Sequence, residues 1–286
     1  MPIDVAKASG AEMPALEFEY DHKTVILYAL GIGLGADPDD LKFCYENAPG
    51  LFVLPTFGVC PPFPALMSIF GVEGLEINPL MILHGEQYLE VRKQPAAMGG
   101  KLTTRPKVAN IFDKGKMALI ELEAETVDET GDVVYFNRFG VLVRGEGGFG
   151  GEKAPATGME PPDRAPDKVI EAKTLPQQAL IYRLSGDPNP LHADPNFASM
   201  AGFEKPILHG LCSFGFACRA VLKAYCDDDP EKFKSVQVRF SRPVFPGETI
   251  VTEMWDGGDG KILFQAKTAE RPDNISISNA VVELNA

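Results

Sequence analysis

The chain has 286 residues, 45% of them hydrophobic, with a mean hydropathy of -0.05. That is enough apolar side chain for a large core in one or two domains. A net charge of -13 opposes general attraction to nucleic acid phosphates or anionic membranes, and sends any anionic ligand to a local basic patch. No stretch approaches the ~18 uncharged apolar residues of a membrane span, and the first twenty residues, carrying Asp4, Glu12 and Glu17, do not read as a signal peptide. The five cysteines, at 44, 60, 212, 218 and 226, show neither a disulfide framework nor C-x-x-C metal spacing. Reduced cysteines in an intracellular compartment are expected.

After an N-terminal segment, 1–16, the elements of a first unit (17–144) come in order. "VILYALGIGLGADPDDLKF" (25–43) opens as a short helix, and "LPTFGVCPPFPALMSIF" (54–70) is an apolar segment. Proline in a helix interior costs ~3 kcal/mol, so Pro61, Pro62 and Pro64 must shorten or break any helix there. "YLEVRKQPAAMGGKLTT" (88–104) reads as strand, turn and strand, and "KMALIELEAET" (116–126) alternates as a β-strand does. Between Gly145 and Asp167 glycine and proline supply ten of 23 residues, which marks a linker, or alternatively a long functional loop within one domain.

The second unit (168–286) repeats the order of parts. "ALIYRLSGDPNPLHADPNF" (179–197) echoes the first segment with Tyr182 opposite Tyr28 and Leu184 opposite Leu30. "KPILHGLCSFGFACRAVL" (205–222), "VQVRFSRPVFPGETIVT" (236–252) and "KILFQAKTAE" (261–270) follow. A short helix, a longer apolar helix and several strands in each unit predict an α+β fold, a helix wrapped by an antiparallel sheet, duplicated as a pseudo-dimer.

The units differ where chemistry is expected, because "GIGLGADP" offers glycines where the second unit has Asp187, Asn189 and His192. Pro188 and Pro190 push Asp187 and Asn189 out of the α region, so the helix begun at Gln177 stops near Ser185. Asp194 and Pro195 then read as the cap and first position of another short helix, closed by Gly202. A stiff loop carrying Asp187 and His192 can hold one water between a carboxylate and an imidazole, an acid/base pair. Singly these are ordinary turn formers and an ordinary histidine; their combination points to a site. Four histidines without spaced carboxylates form no recognisable ligand set, and no metal is expected. Gly210, at the start of a buried helix, offers an N–H to an oxyanion, or simply permits a tight turn. Arg239 and Arg242 are candidate anion ligands, or solvated surface charges.

The stretch "YRLSGDPNPLHADPNFASMAGFEKPILHGLCSFGF" resembles the signature of the R-specific enoyl-CoA hydratases, the MaoC-like branch of the hot-dog fold, and "LYALGIG", "LPTFGV", "LHGEQYLE" and "GGFGG" extend the likeness to the first unit. The resemblance implies a double hot-dog fold, each half with a long central helix, and catalysis by the second half alone. It implies Asp187 and His192 as the catalytic dyad, Asn189 as the residue orienting the site and the Gly210 N–H as oxyanion donor. Pro188 departs from the tryptophan of several relatives, which leaves substrate preference open. The expected reaction is hydration of trans-2-enoyl-CoA to (3R)-3-hydroxyacyl-CoA in fatty-acid β-oxidation. No cofactor is expected, CoA being part of the substrate. Arg239, Arg242 and His209 are expected to bind it, with Arg92, Lys93 and Lys101 next in line, and Phe57, Val59 and Phe63 to line an acyl tunnel in the space left by the broken helix. A homodimer and fusion to a 3-hydroxyacyl-CoA dehydrogenase fit the family. A peroxisomal address, or a cytoplasmic one in a bacterium, follows from the same likeness, although "VVELNA" is not a Ser-Lys-Leu signal. A dehydratase of acyl-carrier-protein substrates, a hot-dog thioesterase and a non-catalytic acyl-binding module are the alternatives.

Overall fold

The computed structural model describes residues 3–285. The first half runs α1 (Val5–Ala8), β1 (Leu16–Asp21), α2 (His22–Gly31), α3 (Leu41–Cys44), α4 (Ala65–Ser68), then β2 (Ile82–Val91), β3 (Gly99–Asp113), β4 (Met117–Val127) and β5 (Val133–Arg144). The second half repeats the scheme: β6 (Lys168–Lys173), α5 (Gln178–Tyr182), α6 (Pro195–Met200), α7 (Gly210–Tyr225), then β7 (Phe233–Phe240), β8 (Thr249–Asp256), β9 (Lys261–Thr268) and β10 (Arg271–Leu284). All ten strands join in one antiparallel sheet, ordered β1-β3-β4-β5-β2-β7-β10-β9-β8-β6. From either edge inward, each half contributes its first, third, fourth, fifth and second strand, so a pseudo-twofold axis lies at the β2–β7 seam, where Glu86 faces Arg239 and Tyr88 faces Gln237.

Strand alternation selects the inner face: Ala118, Ile120, Leu122 and Ala124 of β4 are all fully buried. In the second half α7 is apolar nearly all round, as an enclosed helix must be, and it packs against β6, β7, β8, β9 and β10. The first half departs from the expected long central helix. Its equivalent is three short pieces: a 3-10 turn at Pro55–Val59, α4, and a 3-10 turn at Ile69–Gly71. Pro61, Pro62 and Pro64 supply no backbone N–H, so the helical ladder cannot run through them. The pieces fill different places. Phe57 and Val59 join the main core with α7, whereas Ala65 and Ile69 join a second cluster with Val108, Ile120 and Phe139.

The halves are joined across their helices as well. The Tyr28 and Tyr182 rings meet at 6.2 Å, Gln178 Nε2 donates to the Gly31 carbonyl at 2.7 Å, and α7 reaches the first half through Arg219 to Asp40 and Lys223 to Asp37. Residues 145–167 contain no helix or strand. They are nevertheless pinned to the sheet: the Gly148 and Gly150 N–H groups donate to Asp113, Thr157 Oγ1 to Glu86, and Trp255 Nε1 to the Arg164 carbonyl. The segment is a strap across both halves rather than a free tether. No helix among the described residues is long and apolar enough to cross a membrane.

Candidate active site

The loop between α5 and α6 is stiff for reasons legible in its residues. A 3-10 turn (Arg183–Ser185) ends at Gly186, whose φ of +121° is one that side chains rarely adopt. Asp187 Oδ1 accepts the Asn189 N–H at 3.1 Å, and Asn189 Oδ1 accepts the Leu191 N–H at 3.0 Å, capping the 3-10 turn Pro190–His192. Asn189 thus braces the loop through the backbone. Its side-chain oxygen is spent on the turn. Asp194 caps α6, with Pro195 in its first turn.

The loop brings Asp187 and His192 together and places both against His209. Asp187 Oδ2 lies 3.9 Å from His192 Nε2 and 3.9 Å from His209 Nε2. Both gaps exceed a direct hydrogen bond. Distance alone does not say which histidine is the base, but hydrogen-bond direction does. His192 Nδ1 lies 2.9 Å from the Ile207 carbonyl, an acceptor only, so Nδ1 carries the hydrogen and Nε2 is bare. His209 Nε2 lies 3.3 Å from the Asp187 main-chain carbonyl, so that nitrogen carries its hydrogen and cannot accept another. His192 is therefore the imidazole able to take a proton near Asp187.

Burial raises the Asp187 carboxyl above the usual carboxylate range, opposed by His192 and the Asn189 N–H. Burial lowers His192, opposed by Asp187 and the Ile207 carbonyl. His209 is pushed down to about 2 by burial, with His192 and Arg183 acting in the same direction. The result is two neutral imidazoles beside one carboxyl of raised pKa, which suits proton transfer near neutrality.

Gly210 begins α7 directly after His209, and among the described residues its N–H makes no backbone hydrogen bond. It lies at the positive end of a 16-residue helix. An added Cβ would stand 3.3 Å from the Phe240 ring, so a larger residue would press on it. The first half shows the same loop without chemistry. Gly33, opposite Asp187 in the repeat, has a φ of +84°, and a Cβ there would lie 2.4 Å from Phe216 of α7. A catalytic side chain has no room at that position.

The other candidates separate. Arg239 is half-buried and ion-paired with Glu86 across the seam at 3.2 Å. Arg242 is exposed, takes no part in the ion pairs of the described residues, and lines a cavity of about 770 Å³ with Glu160, Asp163, Asp273 and Asn279. Lys93, Arg92 and Lys101 are held by Asp128 and Asp132, by Glu90, and by Glu17 respectively. Phe57 is fully buried in a ring cluster with Phe18, Tyr20 and Tyr28, Val59 is 1% exposed, and Phe63 packs on the same core. Neither of the cavities described, here or beside Asp4 and Phe112, is lined by them. His209, expected to touch substrate, is 1% exposed and stacks on His192 with ring centroids 3.7 Å apart. Its contact with His192, like that of the Ile207 carbonyl, was not readable from local spacing, because His209 lies 17 positions along the chain from His192.

One atom each from Asp187, His192 and His209 fall within 4.8 Å of one another, the spacing of a possible metal site. The two rings are close to parallel, at 27°, so their in-plane lone pairs lie in separate near-parallel layers. The rings therefore stack instead of converging edge-on, and His209 Nε2 faces the Asp187 carbonyl.

Two half-sheets merged into one, a long helix enclosed by the second, and a loop carrying Asp187 and His192 at that helix's start define a double hot-dog protein. Residues 18–145 match the MFE-2 hydratase 2 N-terminal domain, and residues 158–279 match the MaoC like domain. The chain is 43% identical to "Probable enoyl-CoA hydratase 2" of Dictyostelium discoideum, over 94% of this chain and 92% of that one. It is 45% identical to the "Peroxisomal hydratase-dehydrogenase-epimerase" of Neurospora crassa over 98% of this chain, and spans only 31% of that longer protein. The crystal structure of a MaoC-like dehydratase from Phytophthora capsici superposes with a TM-score of 0.88 at 39% identity, covering 99% of both chains. The chain belongs to the MaoC-like hydratase 2 family.

Proposed function

We propose that this protein hydrates trans-2-enoyl-CoA to (3R)-3-hydroxyacyl-CoA. The observation that carries the reading is the buried Asp187 oxygen held 3.9 Å from the bare Nε2 of His192, beside the unoccupied N–H of Gly210. A gap of that size accepts one water touching both groups. The water's O–H breaks as its oxygen bonds to C3, a C–H bond forms at C2, and no electron leaves the substrate. His192 Nε2 and Asp187 Oδ2 take the proton and return one to C2 from the same face as the C2=C3 π bond is consumed, while the Gly210 N–H donates to the thioester oxygen on which charge builds. The reaction calls for no metal and no redox cofactor, CoA serving as the handle of the substrate. Its product is a secondary alcohol, and a dehydrogenase is the class of enzyme that consumes it, in keeping with the multifunctional name of the Neurospora relative. A peroxisomal setting rests on the family, as the name of that relative prints it.

The test is loss of the enoyl-thioester absorbance with crotonyl-CoA and trans-2-decenoyl-CoA, followed by chiral analysis of the product. Turnover to the 3R alcohol is expected. An S product, or turnover of acyl-carrier-protein thioesters without turnover of CoA thioesters, would overturn the reading.

A further inference from the structure

We propose that His209 is the positioning residue of the acid/base pair, its ring seating the His192 imidazole while its Nε2–H holds the main chain of Asp187. The inference rests on the hydratase reading for its activity test, though not for its structural one. His209 lies between two rings: His192 at 3.7 Å in a near-parallel stack and Tyr182 at 5.0 Å, tilted by 53°. At 1% exposure it has no surface to offer a substrate. The Asp187 carbonyl accepts no backbone donor among the described residues, and His209 Nε2 reaches it at 3.3 Å. A single segment, Ile207 to Gly210, therefore supplies the carbonyl that fixes the His192 tautomer, the ring beneath it, the donor to Asp187 and the N–H at the start of α7. The two functions of His209 explain the residue type. Phenylalanine would stack without a donor, and glutamine would donate without a ring.

The stack also needs a neutral ring, since a cation 3.7 Å from His192 would oppose proton gain there. The groups facing the His209 ring are Asp187 and His192 from the loop and Tyr182 and Arg183 from α5 and the turn after it, while the Cys212 and Ser213 N–H groups of α7 donate to its main-chain carbonyl. Arg183 is the cation of that set and disfavours a charge on His209. His209 Nδ1 is buried without a hydrogen-bond partner, as a bare lone pair and not an N–H, which fits the neutral Nε2–H form.

The experiment uses the full chain with His209→Phe and His209→Gln. Displacing catalytic groups by a fraction of an ångström costs on the order of 10- to 100-fold, and that loss is expected in kcat for both variants, with KM for crotonyl-CoA within about threefold of the wild type. The pH profile then separates positioning from bulk support. Glutamine uncovers one face of His192 to water, so the acid limb of kcat/KM should move to higher pH, whereas phenylalanine keeps the face dry and the limb in place. Wild-type kcat in both variants, or a loss confined to KM, overturns the proposal. A measurement on the unaltered protein guards against variants that do not fold. Long-range proton–nitrogen correlations of the four histidines, assigned with His22→Gln and His84→Gln, should show His209 as the Nε2–H tautomer and His192 as Nδ1–H at neutral pH. A doubly protonated or Nδ1–H His209 would sink the idea. Should the unaltered protein fail to hydrate enoyl-CoA, the tautomers still judge this inference while the hydratase reading falls.

Discussion

Asp187 and His192 are each moved from their ordinary pKa by burial and oppose that shift in one another, so a residue-scale test must respect the coupling. Asp187→Asn and His192→Gln should each lower kcat by ~10²- to 10⁴-fold, measured beside circular dichroism to show that the fold is kept. Full activity in either variant would exclude the dyad. The same burial sets a pH dependence of stability. His209 and His192 have folded pKa values below the unfolded value of ~6.5, so the stability they contribute is present above that pH and is lost as pH falls toward the folded values. Each contributes at most about 1.4 kcal/mol per pH unit in that window. Urea midpoints should therefore fall steadily from pH 7 to 5, and flat midpoints would mean that the imidazoles are charged in the folded state. Asp187 runs the other way: its raised pKa favours the folded state below ~3.9 and that contribution is lost as pH rises through the folded value. The stiff loop that carries Asp187, Asn189 and His192, and the helix start at Gly210, were legible from sequence because prolines and a helix start restrict the backbone locally. That His209 stacks on His192 was not legible, because the contact joins two segments and no local rule encodes which rings meet.

Among the elements, the first half's broken helix was readable in Pro61, Pro62 and Pro64, since a missing N–H is a property of the residue itself. What fills the vacated place was not, because Phe57 and Ala65 choose partners only once β2 to β5 are curved around them. The strand β7 offers a similar lesson. "VRF" predicts that Arg239 and Phe240 alternate across the sheet, and only the register with β2 reveals that Arg239 meets the buried carboxylate of Glu86. The two arginines should part company on substitution. Arg239→Met leaves Glu86 with Thr157 alone and should cost roughly 1–2 kcal/mol of stability with KM for enoyl-CoA little changed. Arg242→Ala should leave the melting temperature within a degree or so and raise KM more than it lowers kcat, with a weaker salt dependence, if its free guanidinium receives a CoA phosphate. Equal KM values for Arg242→Ala and the wild type would move the phosphate site elsewhere, and Lys205, exposed beside Phe245 and outside the described ion pairs, would be next.

At the scale of the whole molecule, the repeated order of parts was legible, while the merging of both halves into one ten-stranded sheet was not, because strand pairing across the β2–β7 seam leaves no periodic mark in either strand. That seam decides what the silent half does. It covers the edge of β7, supplies the Gly31 carbonyl that accepts from Gln178 and Cys212, and supplies Asp40 and Asp37 to Arg219 and Lys223 of α7. A fragment of residues 166–286 would expose a bare strand edge and strip α7 of those partners, so it should be insoluble or inactive. Support and accommodation of the acyl chain are separable through Val59. In the structure Val59 is 1% exposed in the main core, with no cavity beside it among those described, so Val59→Trp overfills packed space. Overpacking of that kind typically costs 1–3 kcal/mol. Activity should then fall alike on crotonyl-CoA and trans-2-decenoyl-CoA, together with the melting temperature. A loss confined to the long substrate at an unchanged melting temperature would instead show that the core beside Val59 opens to admit acyl chains, and that the broken helix of the first half was kept for the substrate as well as for the fold.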